Sequence, residues 1–265
     1  MRISVTSLLS YDQCPRKWAF NREGWGEKEE KWPGMLQGTV LHETVNAIAK
    51  GVKVDTDEKL NDLINVIAMD TFHDPNKSDQ SIMNNVKKFS PGVRRAIDKF
   101  PISWEEVRTW DSEVEVEAEI GGHTLNGRID LLKRDPHEVT LVDIKTSQVD
   151  EIEHLLWNSQ NRYYALILNK LDPTLPIWYE YWCLTTDSKP SDRRPVGILM
   201  TDRHFKETEE EVLRLFDLVE SREKAGLDHK DFPRMNMSNC KFCQFKGLCR
   251  MHFSRGEFIE TDDMH

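Results

Sequence analysis

Two stretches decide the fold: Gly127-Arg128-Ile129-Asp130 and, shortly after it, Val139-Thr140-Leu141-Val142-Asp143-Ile144-Lys145-Thr146. Val139, Leu141, Val142 and Ile144 make the second a buried strand. Asp143 and Lys145 are separated by one residue, so they point to the same face of it. The first stretch lies in a strand from His123 to Lys133, and the turn Arg134-Asp135-Pro136-His137-Glu138 joins the two. They are therefore antiparallel neighbours, and Asp130 can lie close to Asp143. Two carboxylates beside a lysine suit a hard divalent cation. Such an ion polarises a phosphodiester and acidifies a bound water. Lys145 would orient that water or stabilise developing charge. The same residues also read as an Asp–Lys–Asp ion pair on a solvated face. The apolar flanks favour the metal, because buried carboxylates need a partner.

Working outward, Val114, Val116, Ala118 and Ile120 alternate with Glu113, Glu115, Glu117 and Glu119, a half-exposed strand. Gly121-Gly122 makes a hairpin turn into the His123 strand. On the N-terminal side the spacing predicts helices over 4–21 (interrupted at Cys14-Pro15), 34–50 and 55–75. Residues 23–32 read as a loop, and 76–105 as polar chain with a short helix after Pro91. On the C-terminal side follow a helix over 150–171, strands over 177–185 and 196–201, and a helix over 203–225. The order is helical first, then βββαββα, an α/β chain with no internal repeat.

The sequence has 265 residues, 36 Lys plus Arg and 46 Asp plus Glu, for a net charge of −10. That argues against a basic coat for nucleic acid, though not against DNA held in a local groove. No apolar run is long enough to span a membrane, and Met1-Arg2-Ile3-Ser4 opens no signal peptide, so a cytoplasmic location is expected, in a prokaryotic or phage-infected cell. The five cysteines are a poor disulfide framework. Cys240, Cys243 and Cys249 crowd together as soft metal ligands, and Cys14 is the fourth candidate, which would staple the chain ends. Zinc and an iron–sulfur cluster both fit. Cys183, in an apolar strand, reads as a core thiol.

Further motifs are short. Gly38-Thr39-Val40-Leu41-His42-Glu43 offers a helical histidine; position 46 is asparagine, so no zinc-protease motif follows. Gln160 and Tyr164 share a helical face. Cations concentrate in Lys87, Lys88, Arg94, Arg95 and Lys99, in Lys241, Lys246, Arg250 and Arg255, and in Arg16, Lys17 and Arg22 near Cys14. Trp18, Phe20, Phe242 and Phe245 either stack bases there or pack around the metal.

Together these pieces resemble the RecB-like branch of the PD-(D/E)XK nuclease superfamily, and within it the iron–sulfur exonucleases that include the AddB nuclease module and the CRISPR-adaptation exonuclease. The matching residues run in family order: Ser4 to Trp18 with Cys14-Pro15, Gly38 with His42, Gly127 to Asp130, Asp143 to Lys145, Gln160 with Tyr164, and the C-terminal cysteines. The resemblance implies a restriction-endonuclease-like core, a central mixed sheet flanked by helices. It implies a single nuclease domain over 1–265: a mainly helical part over 1–110, the core over 111–225, and a cysteine module over 226–265 closing onto Cys14. His42, Asp130, Asp143 and the Ile144 carbonyl would bind Mg2+ or Mn2+. Lys145 would be the catalytic lysine, with Gln160 and Tyr164 completing the site. Cys14, Cys240, Cys243 and Cys249 would hold a [4Fe–4S] cluster, with Zn2+ as the alternative. The implied activity is metal-dependent DNA cleavage, often exonucleolytic on single strands or ends. Arg16, Lys17, Lys87, Lys88, Arg94, Arg95, Lys241 and Lys246 are the candidate DNA contacts. The other function is a nuclease-fold assembly subunit in recombination or CRISPR adaptation, with the glutamates of 113–119 and 207–211 facing a basic protein partner. Length and the lack of a phosphate-binding G-x4-G-K-[S/T] loop exclude a helicase–nuclease. Residues 50–105 match no motif.

Overall fold

The computed structural model describes residues 1–25, 33–75, 77–146, 159–184, 186, 195–226, 228–235, 240 and 243–252. Six strands form one mixed sheet: β1 (Arg2–Ser4), β2 (Asp111–Ile120), β3 (His123–Arg134), β4 (Val139–Lys145), β5 (Ile177–Cys183) and β6 (Val196–Leu199). The order is β1-β3-β4-β5-β6, with β2 also on β3. β1 runs parallel to β3 and β4 parallel to β5, while the other pairs are antiparallel. The expected glycine turn joins β2 to β3, with Gly121 and Gly122 both left-handed at φ 58° and 78°.

β3 organises the sheet. β2 pairs with it from His123 to Leu132, taking one edge. β1 lies opposite Thr124 to Asn126, and β4 opposite Leu131 to Arg134. These two share the other edge, so Gly127-Arg128-Ile129-Asp130 falls in the gap between them. β1 ends at this gap from one side and β4 from the other.

Helices cover both faces. On one lie α1 (Val5–Gln13), α2 (Pro15–Arg22), α7 (Ser159–Leu171) and α8 (Asp202–Lys224). Leu8, Tyr11, Tyr163, Leu166 and Phe216 bury themselves there against Ile120, Leu125 and Leu141. On the other lie α3 (Pro33–Ala49), α4 (Asp57–Phe72), α5 (Asp79–Ile97) and α6 (Trp104–Val107). Leu41, Ile64, Val86 and Val93 pack there against Leu131, Val142, Ile144 and Trp182. β4, apolar toward both layers, is the central strand that its sequence suggests.

The helix expected over 4–21 forms as α1 and α2, broken at Cys14-Pro15, and Ser4 caps it, its Oγ accepting from Ser7 N–H at 3.1 Å. Ahead of it Ile3 pairs with Leu125 in a short strand that the sequence does not announce. Two expectations are corrected. Residues 79–97 form one long helix, with Pro91 inside it. Ile82, Val86, Val93, Ala96 and Ile97 give it a buried stripe that outweighs the one backbone donor proline lacks. Gln37 Nε2 reaches the Phe89 carbonyl at 3.0 Å, tying this helix to α3. Glu113, finally, does not share the solvated face of the other β2 glutamates, as described below. Of the helix expected over 150–171, the part before Ser159 lies outside the described residues, as does most of the 23–32 loop. Among the described residues no helix is long and apolar enough to cross a membrane.

Candidate metal-dependent active site

Four sequence-predicted residues meet at the gap in β3. Pairing between β3 and β4 ends at Leu131 and Val142, one step short of Asp130 and Asp143. The strands part there, and Asp130 Oδ2 accepts the Ile144 N–H at 2.9 Å. Its other oxygen lies 3.5 Å from His42 Nδ1. Asp143 is buried on the α7 side, and the Lys145 ammonium lies 2.7 Å from its Oδ2. Gly38 lets α3 bring His42 in, because a Cβ at that position would press on Thr146 Oγ1 at 3.2 Å.

The electrostatics are those of crowded acids beside two cations. Burial pushes the Asp143 carboxyl up to about 6; Lys145 opposes the rise and Asp130 adds to it. Burial disfavours charge on His42, but Asp130, Asp143 and Glu113 outweigh it and raise the imidazole pKa. Burial likewise raises Glu113, against the pull of Arg128.

Glu113 is the residue that sequence reasoning misplaced. One donor atom each from His42, Glu113 and Asp130 lie within 4.8 Å of one another. An octahedral ion with oxygen ligands at about 2.1 Å separates those ligand atoms by about 3 to 4 Å. Hard carboxylate oxygens plus an imidazole, within 4.8 Å of one another, suit a divalent ion after a contraction. No signal in the alternating glutamates distinguishes position 113 from 115, 117 or 119.

Tyr164 stands over the same gap. Its ring packs on Gly127, where any Cβ would overlap it. Burial raises its hydroxyl pKa, and a hydrogen bond with Gln160 counters this. Gly127 is thus required by Tyr164, and Asp130 by Ile144 and His42, which gives the Gly-Arg-Ile-Asp stretch its physical meaning.

A family model for the PD-(D/E)XK nuclease superfamily matches residues 2–250. The chain belongs to that superfamily. A crystal structure of a candidate exonuclease from Eubacterium rectale resembles this nuclease over 98% of its length and 90% of the other chain, with a TM-score of 0.56 at 15% identity, a likeness of fold. A second structure, SSO0001, shares 18% identity over 81% of this chain and 94% of its own, with a TM-score of 0.35. Among curated proteins none matches.

In this nuclease fold the cysteines come from both chain ends. Cys14 sits at the break between α1 and α2, and Cys249 in α9 (Lys246–His252). Burial raises the thiols of Cys243 and Cys249; Cys243 also feels Cys14 and Cys240, and Cys249 feels Cys14 and Cys243. Cys14 thus influences both C-terminal thiols electrostatically, although among the described residues the four sulfurs do not form a tight ligand group. Cys183 packs against the core.

The expected DNA contacts divide. Arg16 is corrected: it is only 3% exposed, and its Nε and Nη2 donate to the carbonyls of Phe232 and Lys230 at 2.9 and 2.6 Å. It fastens the C-terminal segment to α2. Trp18, Phe20 and Phe245 are likewise buried, Trp18 against Tyr11 and Phe232 and Phe20 stacked on Phe245 at 5.0 Å, so they pack inside the protein and do not face bases. Arg94 is held by Asp57 and Asp98, both at 2.8 Å, and Arg95 by the Thr186 carbonyl. Lys87 and Lys88 are exposed, and Lys17 and Lys246 half-buried. Lys241 and Phe242 lie outside the described residues.

Proposed function

We propose that this chain is a Mg2+- or Mn2+-dependent deoxyribonuclease that works as an exonuclease on single-stranded DNA or DNA ends. The carrying observation is the convergence of His42, Asp130, Asp143 and Lys145 at the point where β3 and β4 part. His42, Asp130 and Asp143, with the Ile144 carbonyl, would hold the ion. When bound, a divalent ion polarises the phosphodiester and acidifies an attacking water.

The chain's own groups do the rest. Asp130 fixes the end of β4 through the Ile144 N–H and orients His42. Lys145, held 2.7 Å from Asp143, presents a positive charge where charge develops on the phosphate. Tyr164 and Gln160 form the wall over Gly127 along which a strand would lie. Lys17, Lys87, Lys88 and Lys246 are the side chains we assign to phosphate contacts, which position a strand without reading its sequence.

We further assign a structural [4Fe–4S] cluster to Cys14, Cys240, Cys243 and Cys249. Four soft thiols from the two chain ends support it. Its role would be to hold 226–265 against α1 and α2. An anaerobic preparation that is colourless and carries stoichiometric zinc would replace the cluster with zinc.

The test is a cleavage assay on single- and double-stranded DNA, blocked at the 5′ or 3′ end, with Mg2+, Mn2+ or EDTA. We expect metal-dependent shortening of unblocked single strands. No cleavage of any substrate with either metal would overturn the proposal and favour an assembly subunit.

A further inference from the structure

We infer that Glu113 is an additional metal-holding carboxylate of this centre, brought in by a reversal of the β2 faces. The inference rests on the nuclease reading above. Along β2, Val116, Ala118 and Ile120 are buried and Glu115, Glu117 and Glu119 exposed. Unbroken alternation would leave Glu113 in solvent with the other glutamates. Instead Glu113 takes a left-handed φ of 51°, alone among the described non-glycine residues. Beyond it the faces exchange. Ser112 Oγ donates to Asn46 Oδ1 of α3 at 2.8 Å, and Trp110 joins the core on the α3 side. β3 exchanges faces at the matching point: Ile129 belongs to one core and Leu131 to the other. Pairing of Ser112 with Leu131 and Val114 with Ile129 places Glu113 opposite Asp130.

The reversal turns the Glu113 side chain inward to 16% exposure. It joins His42 and Asp130, each giving one donor atom within 4.8 Å of the others. Left-handed backbone favours glycine or asparagine over glutamate, so nothing local recommends Glu113 there except its carboxylate. Arg128 Nε, 2.6 Å away, balances that charge. Its own side chain is 66% exposed, so an arriving ion can take its place at the carboxylate. Glu113 then adds a hard oxygen on the side of Asp130 away from Asp143, which suits a divalent ion.

The experiment measures Mn2+ binding to the full chain by calorimetry, for the parent, Glu113→Gln and Glu113→Gly, with melting followed in EDTA. We expect both variants to bind Mn2+ at least about tenfold more weakly, since even groups one step removed from a metal contribute that much. Glu113→Gly should melt above Glu113→Gln, because glycine accepts the left-handed backbone. Opposite movements of stability and affinity separate a ligand from a structural residue. Parent-like Mn2+ affinity in Glu113→Gln would overturn the inference alone. A parent that binds no Mn2+ would take the nuclease reading with it.

Discussion

The candidate metal centre and the proposed cysteine clasp gather their side chains in opposite ways. At the centre, backbone pairing does the gathering: register sets Asp130 beside Asp143, and the Ile144 N–H fixes Asp130 at 2.9 Å. At the clasp, side chains do it. The proposed clasp would bring Cys14 to Cys240, Cys243 and Cys249 across almost the whole chain, and Arg16 reaching the Phe232 and Lys230 carbonyls holds the two segments together. A site built by sheet register stands without its ion, and losing the ion costs chemistry. A site built by chain ends depends on what it holds, and losing that costs structure.

The largest effect that tests this contrast is on catalysis. Asp130→Ala should slow DNA cleavage roughly 10²- to 10³-fold while the melting temperature stays within roughly 4 °C of the parent. A collapse in melting would break the contrast. Cys249→Ser should do the reverse. The absorption of the proposed cluster should vanish and the melting temperature fall by roughly 5–10 °C, while cleavage by the folded fraction at low temperature stays near that of the parent.

Next comes pH. The Asp143 carboxyl, raised by burial to about 6 from 3.8, binds its proton more tightly folded than unfolded. Its contribution to stability is therefore whole below 3.8 and lost as pH rises through about 6. In EDTA, Asp143→Asn should gain on the parent by up to about 3 kcal/mol between pH 4 and pH 8. A gap constant with pH would contradict the buried, crowded carboxylate. Gly127→Ala should cost about 1–3 kcal/mol by displacing the Tyr164 ring, visible as a lower denaturation midpoint. The smallest effects belong to the lysines. Lys87→Ala and Lys17→Ala should each lower the salt dependence of DNA binding by about one phosphate contact, measured by anisotropy.

Much of the sheet was legible because β3 and β4 carry their own signals: an apolar run with Asp143 and Lys145 two apart, and a turn that forces antiparallel neighbours. The candidate site side chains on α3 and α7, His42 and Tyr164, are carried by short motifs, and Gly38 and Gly127 explain those motifs as close approaches. What stayed hidden depends on tertiary packing. β1 is three residues long and exists because β3 offers it an edge. Pro91 lies within a helix because the buried stripe around it prevails over the lost donor. Glu113 reads as one of four equivalent glutamates, and a single left-handed φ separates it from the others. Arg16 reads as a surface cation near cysteines, and the carbonyls it satisfies belong to a segment distant in sequence.

The most direct measurement is the cleavage rate of Lys145→Ala against the parent on end-labelled single-stranded DNA in Mn2+, with Mn2+ binding followed on the same samples. Lys145 touches Asp143 at 2.7 Å. The predicted result is a rate at least about 100-fold lower with folding unchanged and Mn2+ still bound. A variant that shortens the strand as fast as the parent would show that the chemistry happens elsewhere.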